Sequence, residues 1–98
     1  MKREEALKVL AAHRDELRTM GVERLSLFGS VARDEAGEGS DIDLLVEFAP
    51  GTPIGIFEFL GVQEALSSLL GVEVDLATTA SLHPRLRDAI LREAIRAA

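Results

Sequence analysis

Apolar residues near the start of the chain recur at alternating spacings of four and three, which is the repeat of one helix face. The pattern predicts a first helix from Arg3 to Met20, closed by Gly21 as a C-terminal cap. Its apolar stripe consists of Ala6, Leu10, His13, Leu17 and Met20. Because His13 shares this stripe with apolar residues, we expect a packed or rim histidine rather than a ligand.

The rest of the chain alternates between strand-like and helix-like stretches, separated by turns that contain glycine. Strands are expected over residues 24–28, 41–48 and 72–77, and further helices over residues 31–36, 54–70 and 84–98. The second strand has two faces of different character. One face carries Ile42, Leu44 and Val46, and the other carries Asp41, Asp43 and Leu45.

The order α-β-α-β-α-β-α predicts an α/β (α+β) fold, a small mixed sheet of three strands with flanking helices. Pro84 suits the first turn of the last helix. The chain has 98 residues and no repeat or linker, so we expect a single domain over residues 1–98. Cysteine is absent, which excludes disulfides and thiolate metal sites within this chain.

The net charge of −6 disfavours direct binding of nucleic acid, because contacts to phosphate dominate that affinity. A basic protein partner fits better, although the acidity can also serve only solubility. No apolar run approaches the roughly 20 residues that span a bilayer, and the first residues lack the apolar segment of a signal peptide. We therefore expect a cytoplasmic protein without a membrane partner.

Asp41 and Asp43 are separated by one residue on a predicted strand. This spacing places both carboxylates on one face, with Cα atoms about 7 Å apart. Such a pair can share two divalent cations, and carboxylates suit Mg²⁺, which takes further ligands from substrate phosphates. The alternative is a solvated acidic face. Strands disfavour aspartate, however, and two close like charges are costly without a cation.

Asp75 lies on the third predicted strand. If that strand pairs with the second, Asp75 reaches the other two aspartates, where it can bind a metal and accept the proton of an attacking hydroxyl. Glu73 lies on the same face and competes for this role. An exposed strand residue without a role is the simpler alternative.

A Gly29-Ser30 turn follows the first predicted strand and opens a helical turn. Glycine allows the backbone to approach a phosphate closely, and the N–H groups at a helix start bind anions together with the serine hydroxyl. Arg33 can add a charged fork to a phosphate. An ordinary glycine turn with a serine cap is the alternative. The glycine-rich lysine motif of P-loop NTPases is absent.

Taken together, Gly29-Ser30-Val31-Ala32-Arg33, the segment from Ser40 to Val46 and then Asp75 closely resemble the DNA polymerase beta-type nucleotidyltransferase superfamily. More narrowly, the chain is similar to the minimal nucleotidyltransferases, whose pattern is Gly-Ser-x-Ala-Arg, a spacer and Ser-Asp-x-Asp-Leu. The group often has glycine after the arginine. This chain has Asp34 there, which could change the helix start and repel phosphate slightly.

The resemblance implies an antitoxin that transfers AMP from ATP to a tyrosine of a HEPN-domain ribonuclease toxin. It implies that Asp41, Asp43 and Asp75 hold two Mg²⁺ ions and that Asp75 also acts as the base. Within the same pattern, the ATP-binding residues are Gly29, Ser30, Arg33 and Ser40. Two alternatives stay open: a nucleotidyltransferase acting on a small molecule or nucleic-acid end, and a nucleotide-binding module that neutralises its partner by occlusion.

Two surfaces are candidates for contact with a partner. Apolar residues crowd more than one face of the helix over residues 54–70, where core burial is the simpler explanation: Phe57, Phe59, Leu60 and Val62. Arginines spread over the last helix, where a solvated face is the simpler explanation: Arg85, Arg87, Arg92 and Arg96.

Overall fold

The computed structural model describes residues 1–35, 37 and 41–98. The helices are α1 (Arg3–Ala12), α2 (Arg14–Thr19), α3 (Gly29–Ala32), α4 (Ile56–Leu70) and α5 (Pro84–Glu93). The strands are β1 (Val22–Phe28), β2 (Ile42–Phe48), β3 (Val74–Ala77) and β4 (Ile95–Arg96), and a 3₁₀ turn covers Thr79–Ser81. The predicted α/β class with helices flanking a small mixed sheet is confirmed. No helix in the described ranges is long and apolar enough to cross a membrane.

The sheet has the strand order β3-β2-β1-β4. Strand β1 runs antiparallel to β2 and to β4, whereas β2 and β3 are parallel. A parallel pair needs a crossover connection, and α4 provides it between β2 and β3. This order places the strand that carries Asp43 between the strand that leads into Gly29 and the strand that carries Asp75.

The main core lies on one face of this sheet, as the pattern of β2 predicts. Ile42, Leu44 and Val46 are almost completely buried in it. The helices add buried residues from α1, α2, α3 and α4, namely Ala6, Leu10, Leu17, Val31, Ala32, Val62, Leu66 and Leu70. The opposite face therefore remains available for the polar residues of β2.

The free edge of β3 is held by side chains of α4. Both backbone polar groups of Val74 point away from β2: its N–H donates to Ser67 Oγ (3.2 Å), and its carbonyl accepts from Gln63 Nε2 (3.1 Å). These contacts satisfy groups that a bare sheet edge would leave unpaired. They also fix the position of β3, and so of Asp75, one residue further along.

The prediction of one continuous first helix is wrong at His13. The side chain of His13 donates from Nδ1 to the carbonyl of Val9 (2.8 Å), which is the acceptor that the His13 N–H would use in a helix. That N–H turns to Leu10 instead (3.2 Å), and α2 starts at the next residue. His13 is half-buried, in agreement with the predicted rim position.

The prediction that the last helix reaches Ala98 is also wrong. Helix α5 does start at Pro84, but it ends at Glu93, and the chain then pairs with β1 as a fourth strand that was not predicted. Helix propensity favours the predicted helix, since the segment is rich in alanine and arginine. Pairing instead satisfies the backbone of Leu25 and buries Ala97 and Ala98.

The other boundaries differ by a few residues. Strand β1 starts two residues earlier than predicted, β2 one residue later, and α4 and β3 two residues later. Helix α3 covers Gly29–Ala32 rather than residues 31–36, of which Ala36 lies outside the described residues. Gly71 ends α4 in the left-handed conformation (φ +70°), as predicted.

Candidate active site

Asp43 lies at the centre of the candidate site because of the sheet register. It pairs with Phe28 of β1 on one side and with Asp75 of β3 on the other. Neighbouring strands are about 4.8 Å apart, so the Asp43 and Asp75 side chains project side by side from one face. Asp41 precedes β2 by one residue, is exposed, and lies two residues before Asp43 along the same face. The sheet therefore brings the three predicted aspartates to one end of one face.

Gly29 completes this end of the sheet from the side of β1. It has φ +75°, a left-handed conformation that favours glycine. A Cβ atom there would overlap the Asp43 carboxylate, lying only 3.0 Å from Cγ and 3.2 Å from Cβ of Asp43. Glycine is thus required at position 29 for two reasons, the left-handed backbone and the close approach of the Asp43 side chain. Ser30 follows it, half-buried, in the first turn of α3.

The carboxylates at this site repel one another. The pKa of Asp43 is raised above its ordinary value, first by burial and then by the negative charges of Asp75 and Asp41. Arg33 opposes this effect and Glu93 adds slightly to it. Holding Asp43 ionised at neutral pH therefore costs free energy, and a cation between the aspartates would recover that cost.

A metal requires a matching set of donors. Within residues 1–35, 37 and 41–98, no three carboxylate or imidazole side chains converge closely enough to form a metal cage on their own. Mg²⁺ seldom has such a cage, since it usually takes one or two carboxylates together with water and substrate phosphates. The all-oxygen donors and the unbalanced charge at Asp43 fit such an ion.

Arg33 is held by two carboxylates of the chain. Its Nε donates to Glu35 Oε2 (3.1 Å), and its Nη1 donates to Glu93 Oε2 (3.0 Å) and Oε1 (3.3 Å). These hydrogen bonds, first to Glu35 and then to Glu93, raise the pKa of Arg33. The side chain is nearly half exposed. A permanently charged fork thus stands beside the Gly29 turn, where the sequence predicts a phosphate contact.

The structure separates the two candidates for the third carboxylate. Asp75 is paired in register with Asp43, whereas Glu73 lies before the start of β3. Glu73 lines a shallow cavity against α4 with Gln63 and Ser67. Asp75 is therefore the better neighbour of Asp43. Ser40, predicted to contact the nucleotide, lies outside the described residues.

Asp34 differs from the expectation raised by the resemblance. It lies after the end of α3 rather than at its start and has φ +59°, a left-handed conformation. Glycine is favoured in this conformation, and aspartate is one of the few other residues that adopts it. The glycine that the group often has here is explained by the backbone, and Asp34 does not alter the start of the helix.

Glu93 is a further candidate site residue, which no motif in the sequence indicates. Its side chain accepts from the backbone N–H of Gly29 (3.0 Å) as well as from Arg33. The helical pattern of the last segment hides the end of α5 at Glu93, so its distance from the Gly29 turn could not be inferred. The only local signal was an acidic residue at the end of a basic helix, which has many ordinary explanations.

The two candidate partner surfaces have different outcomes. On α4, Val62 is buried and Phe59 packs partly on the core, but Phe57 is 85% exposed and Leu60 is 49% exposed. Burial therefore explains only part of the apolar excess. On the C-terminal segment, Arg85, Arg92 and Arg96 are exposed, in line with a solvated face. Arg87 is half-buried and bonds to the Leu82 carbonyl (3.5 Å).

The profile of the nucleotidyltransferase domain family matches residues 10–97. The chain is 41% identical over 93 residues to the protein adenylyltransferase MntA of Thermococcus cleftensis, covering 94% of this chain and 92% of that protein. It is 48% identical over 75 residues to a candidate protein adenylyltransferase of Methanocaldococcus jannaschii, covering 76% of this chain and 78% of the other.

Solved structures show the same fold. One described as a candidate minimal nucleotidyltransferase superposes with a TM-score of 0.80 at 42% identity, covering 97% of this chain and 95% of its own. A toxin–antitoxin complex with AMP-PNP gives a TM-score of 0.69 at 20% identity, with coverages of 100% and 73%. A Shewanella oneidensis complex of a tri-AMPylated HEPN toxin with its MNT antitoxin gives 0.64 at 19%, with coverages of 94% and 71%.

These similarities confirm the resemblance read from the motifs. The family profile spans most of the chain, and the relatives exceed 40% identity over three quarters of it or more. The two toxin–antitoxin complexes, at 20% identity or less, support the fold alone. The chain therefore belongs to the nucleotidyltransferase family and is a nucleotidyltransferase.

Proposed function

We propose that this nucleotidyltransferase transfers AMP from ATP, with Mg²⁺, to a hydroxyl group of a partner protein. The expected acceptor is a tyrosine of a HEPN-domain ribonuclease toxin, which the modification silences, so that the chain acts as an antitoxin. The observation that carries the chemistry is the register of the sheet, in which Asp43 stands between Asp75 and the Gly29 turn. The protein acceptor is supported by the Thermococcus cleftensis relative, which is named a protein adenylyltransferase.

The residues divide into two groups by charge. Asp41, Asp43 and Asp75 are the oxygen donors suited to two Mg²⁺ ions. Gly29, Ser30 and Arg33 offer hydrogen-bond donors and a positive charge to the triphosphate. Ser40 belongs to the nucleotide-binding set by its place in the motif. When bound, the metal ions lower the pKa of the acceptor hydroxyl and neutralise the departing pyrophosphate.

In the reaction, the acceptor oxygen attacks the α-phosphorus of ATP in line with the leaving group. The bond from the α-phosphorus to the bridging oxygen breaks, and pyrophosphate departs with the electron pair. The proton of the acceptor passes to the carboxylate of Asp75. This chain contributes mainly orientation of the triphosphate and exact placement of charge, which supply most of the rate enhancement in related transfers.

Label transfer tests the proposal. The purified chain is incubated with Mg²⁺ and ATP labelled at the α-phosphate, in an extract of the source cells, and γ-labelled ATP serves as the control for phosphorylation. We expect one labelled protein, identified by mass as a HEPN toxin, with label from the α-position only. Asp43→Asn should abolish the label. Glu47→Gln, the same change at an exposed β2 position paired with Arg24, should retain it.

Three results would point elsewhere. Label in a small-molecule or RNA fraction would replace the protein acceptor. Absence of label from every fraction would contradict the transferase proposal for this extract. If Asp43→Asn still neutralised a co-expressed toxin while wild type left it unlabelled, the chain would act by occlusion.

A further inference from the structure

Glu93 makes two contacts that join distant parts of the chain. Its Oε1 accepts from the backbone N–H of Gly29 at 3.0 Å, across 64 residues of sequence. Its Oε2 accepts from Arg33 Nη1 at 3.0 Å. One carboxylate thus bonds both to the glycine that borders Asp43 and to the arginine whose charge acts on Asp43.

The fold fixes Glu93 in this place. It is the last residue of α5, and the strand that follows pairs with β1 at Leu27 and Ser26, directly before the Gly29 turn. The Glu93 side chain is only 29% exposed. An exposed helix end would leave such a carboxylate free to move, whereas here two attachments define its position.

The location is electrostatically unfavourable for an acid with no other role. Three aspartates already lie at this end of the sheet, and Glu93 adds to the negative potential that acts on Asp43. A neutral acceptor would also satisfy the Gly29 N–H, although with a weaker hydrogen bond. Among the described residues, the negative charge of Glu93 is balanced by an ion pair with Arg33 alone. A carboxylate differs from an amide in this contact, because only the carboxylate carries the charge.

Two of the three guanidinium nitrogens of Arg33 are bonded to carboxylates. Glu35 holds Nε and Glu93 holds Nη1, while Nη2 makes no hydrogen bond to any described residue. A guanidinium is a planar, rigid group, so fixing two of its nitrogens fixes the direction of the third. Nη2 is then available to an anion without further loss of side-chain freedom.

We propose that Glu93 is a positioning residue: it holds the Gly29 turn and orients the Arg33 guanidinium toward the triphosphate of the nucleotide. The inference rests on the proposed function, since it assigns Glu93 to that same nucleotide site. A competing role is that the Glu93 carboxylate merely occupies the place of a phosphate. The two roles predict opposite changes in nucleotide affinity when the charge is removed.

The test measures binding of Mg²⁺ and α,β-methylene-ATP, which cannot undergo transfer, by titration calorimetry. Glu93→Gln keeps an acceptor for Gly29 but loses the charge that holds Arg33. We expect about three- to five-fold weaker binding, the size of a partly exposed ion pair. Asp88→Asn, on the exposed side of the same helix, makes the same charge change and should leave the affinity unchanged.

Further variants separate positioning from charge and from general destabilisation. In an Arg33→Ala background, Glu93→Gln should have no further effect on affinity, because its action passes through Arg33. Glu93→Asp keeps the charge but shortens the reach, so it should weaken binding as much as Glu93→Gln. In transfer assays, KM for ATP should rise more than kcat falls. NMR without nucleotide should show faster exchange of the Gly29 amide proton in Glu93→Ala than in wild type.

The outcomes that overturn the inference are distinct. Tighter binding by Glu93→Gln would establish the competing role. If Glu93→Gln weakened binding equally in the wild-type and Arg33→Ala backgrounds, Glu93 would not act through Arg33. Wild-type affinity in Glu93→Asp would lead to the same conclusion. Failure of the wild-type chain itself to bind the nucleotide would instead overturn the proposed function, and this inference with it.

Discussion

Replacing Gly29 by alanine tests whether the turn and Asp43 depend on each other. Gly29 has φ +75°, and the added Cβ would overlap the Asp43 carboxylate. Gly71 and Gly51 are matched controls, since they have φ +70° and +80° and a Cβ at either would meet no atom within 4 Å. The three substitutions therefore share the backbone cost, and only one of them disturbs the site.

The two costs can be estimated separately. A non-glycine residue in the left-handed region costs about 1–2 kcal/mol of unfolding free energy. Moving the Asp43 side chain off its rotamer to admit the Cβ adds about 0.5–1.5 kcal/mol. Gly71→Ala and Gly51→Ala should show only the first cost, and Gly29→Ala should show both. The displaced carboxylate should also lower the proposed AMP transfer by about 100-fold, as a misplacement of about 1 Å can.

Urea unfolding followed by far-UV circular dichroism measures these differences, because the chain has no Trp or Tyr for fluorescence. In thermal unfolding, each 1 kcal/mol of lost unfolding free energy should lower the melting temperature by roughly 4–8 °C in a domain of this size. Asp43→Ala removes the carboxyl atoms that the new Cβ would meet. Gly29→Ala should therefore be less costly in an Asp43→Ala background than in wild type.

Equal destabilisation by Gly29→Ala and Gly71→Ala would refute the argument, because the Asp43 contact would then contribute nothing. So would full transfer activity in Gly29→Ala. If the effects of Gly29→Ala and Asp43→Ala on the unfolding free energy were additive, the new Cβ and the Asp43 side chain would not be in steric conflict.

Four further predictions concern other parts of the chain. Asp43→Asn should stabilise the metal-free protein at neutral pH. Because the pKa of Asp43 is raised, the native state binds its proton more tightly than the unfolded state does, and wild-type stability falls as the pH rises above the ordinary aspartate pKa. Urea titrations at several pH values should show this fall in wild type and not in the variant. Ser67→Ala removes the acceptor of the Val74 N–H and should cost about 1 kcal/mol in the same titrations, with lower transfer activity as β3 loosens. Asp34→Gly should raise the unfolding free energy by about 0.5 kcal/mol and Asp34→Ala should lower it, because of the left-handed backbone there. Phe57→Ser should leave the melting temperature unchanged, since the side chain is 85% exposed, and should weaken pull-down of the proposed HEPN-domain partner, because an exposed aromatic side chain fits a protein contact.

The placement of the candidate site residues could be predicted from sequence where residue type and local spacing carry the information. The Asp-x-Asp spacing sets a shared face on any strand, and Gly29 after a strand predicts a tight turn. Both inferences need only neighbouring residues. The pairing of Asp75 with Asp43 required one assumption, that β3 lies beside β2, and the parallel crossover through α4 fulfils it.

The two errors have different physical causes. At His13 a side chain takes the carbonyl that the helix needs, which a periodic apolar pattern does not reveal. After Glu93, residues with high helix propensity form a strand because the open edge of β1 offers hydrogen bonds and burial. Composition and apolar periodicity report neither a bond from a side chain to the backbone nor a pairing with a distant strand, so they could not predict either break.

The second error also explains why Glu93 was missed. Its contact with Gly29 exists only because α5 stops and β4 pairs beside the turn. If Glu93 has the proposed role, stability and nucleotide binding should be coupled through β4. A substitution that weakens the pairing of β4, such as one at Ala97, should release Glu93 from both Gly29 and Arg33. Nucleotide affinity should then fall before the protein unfolds, and bound Mg²⁺ and ATP should restore protection of the Gly29 amide in hydrogen exchange.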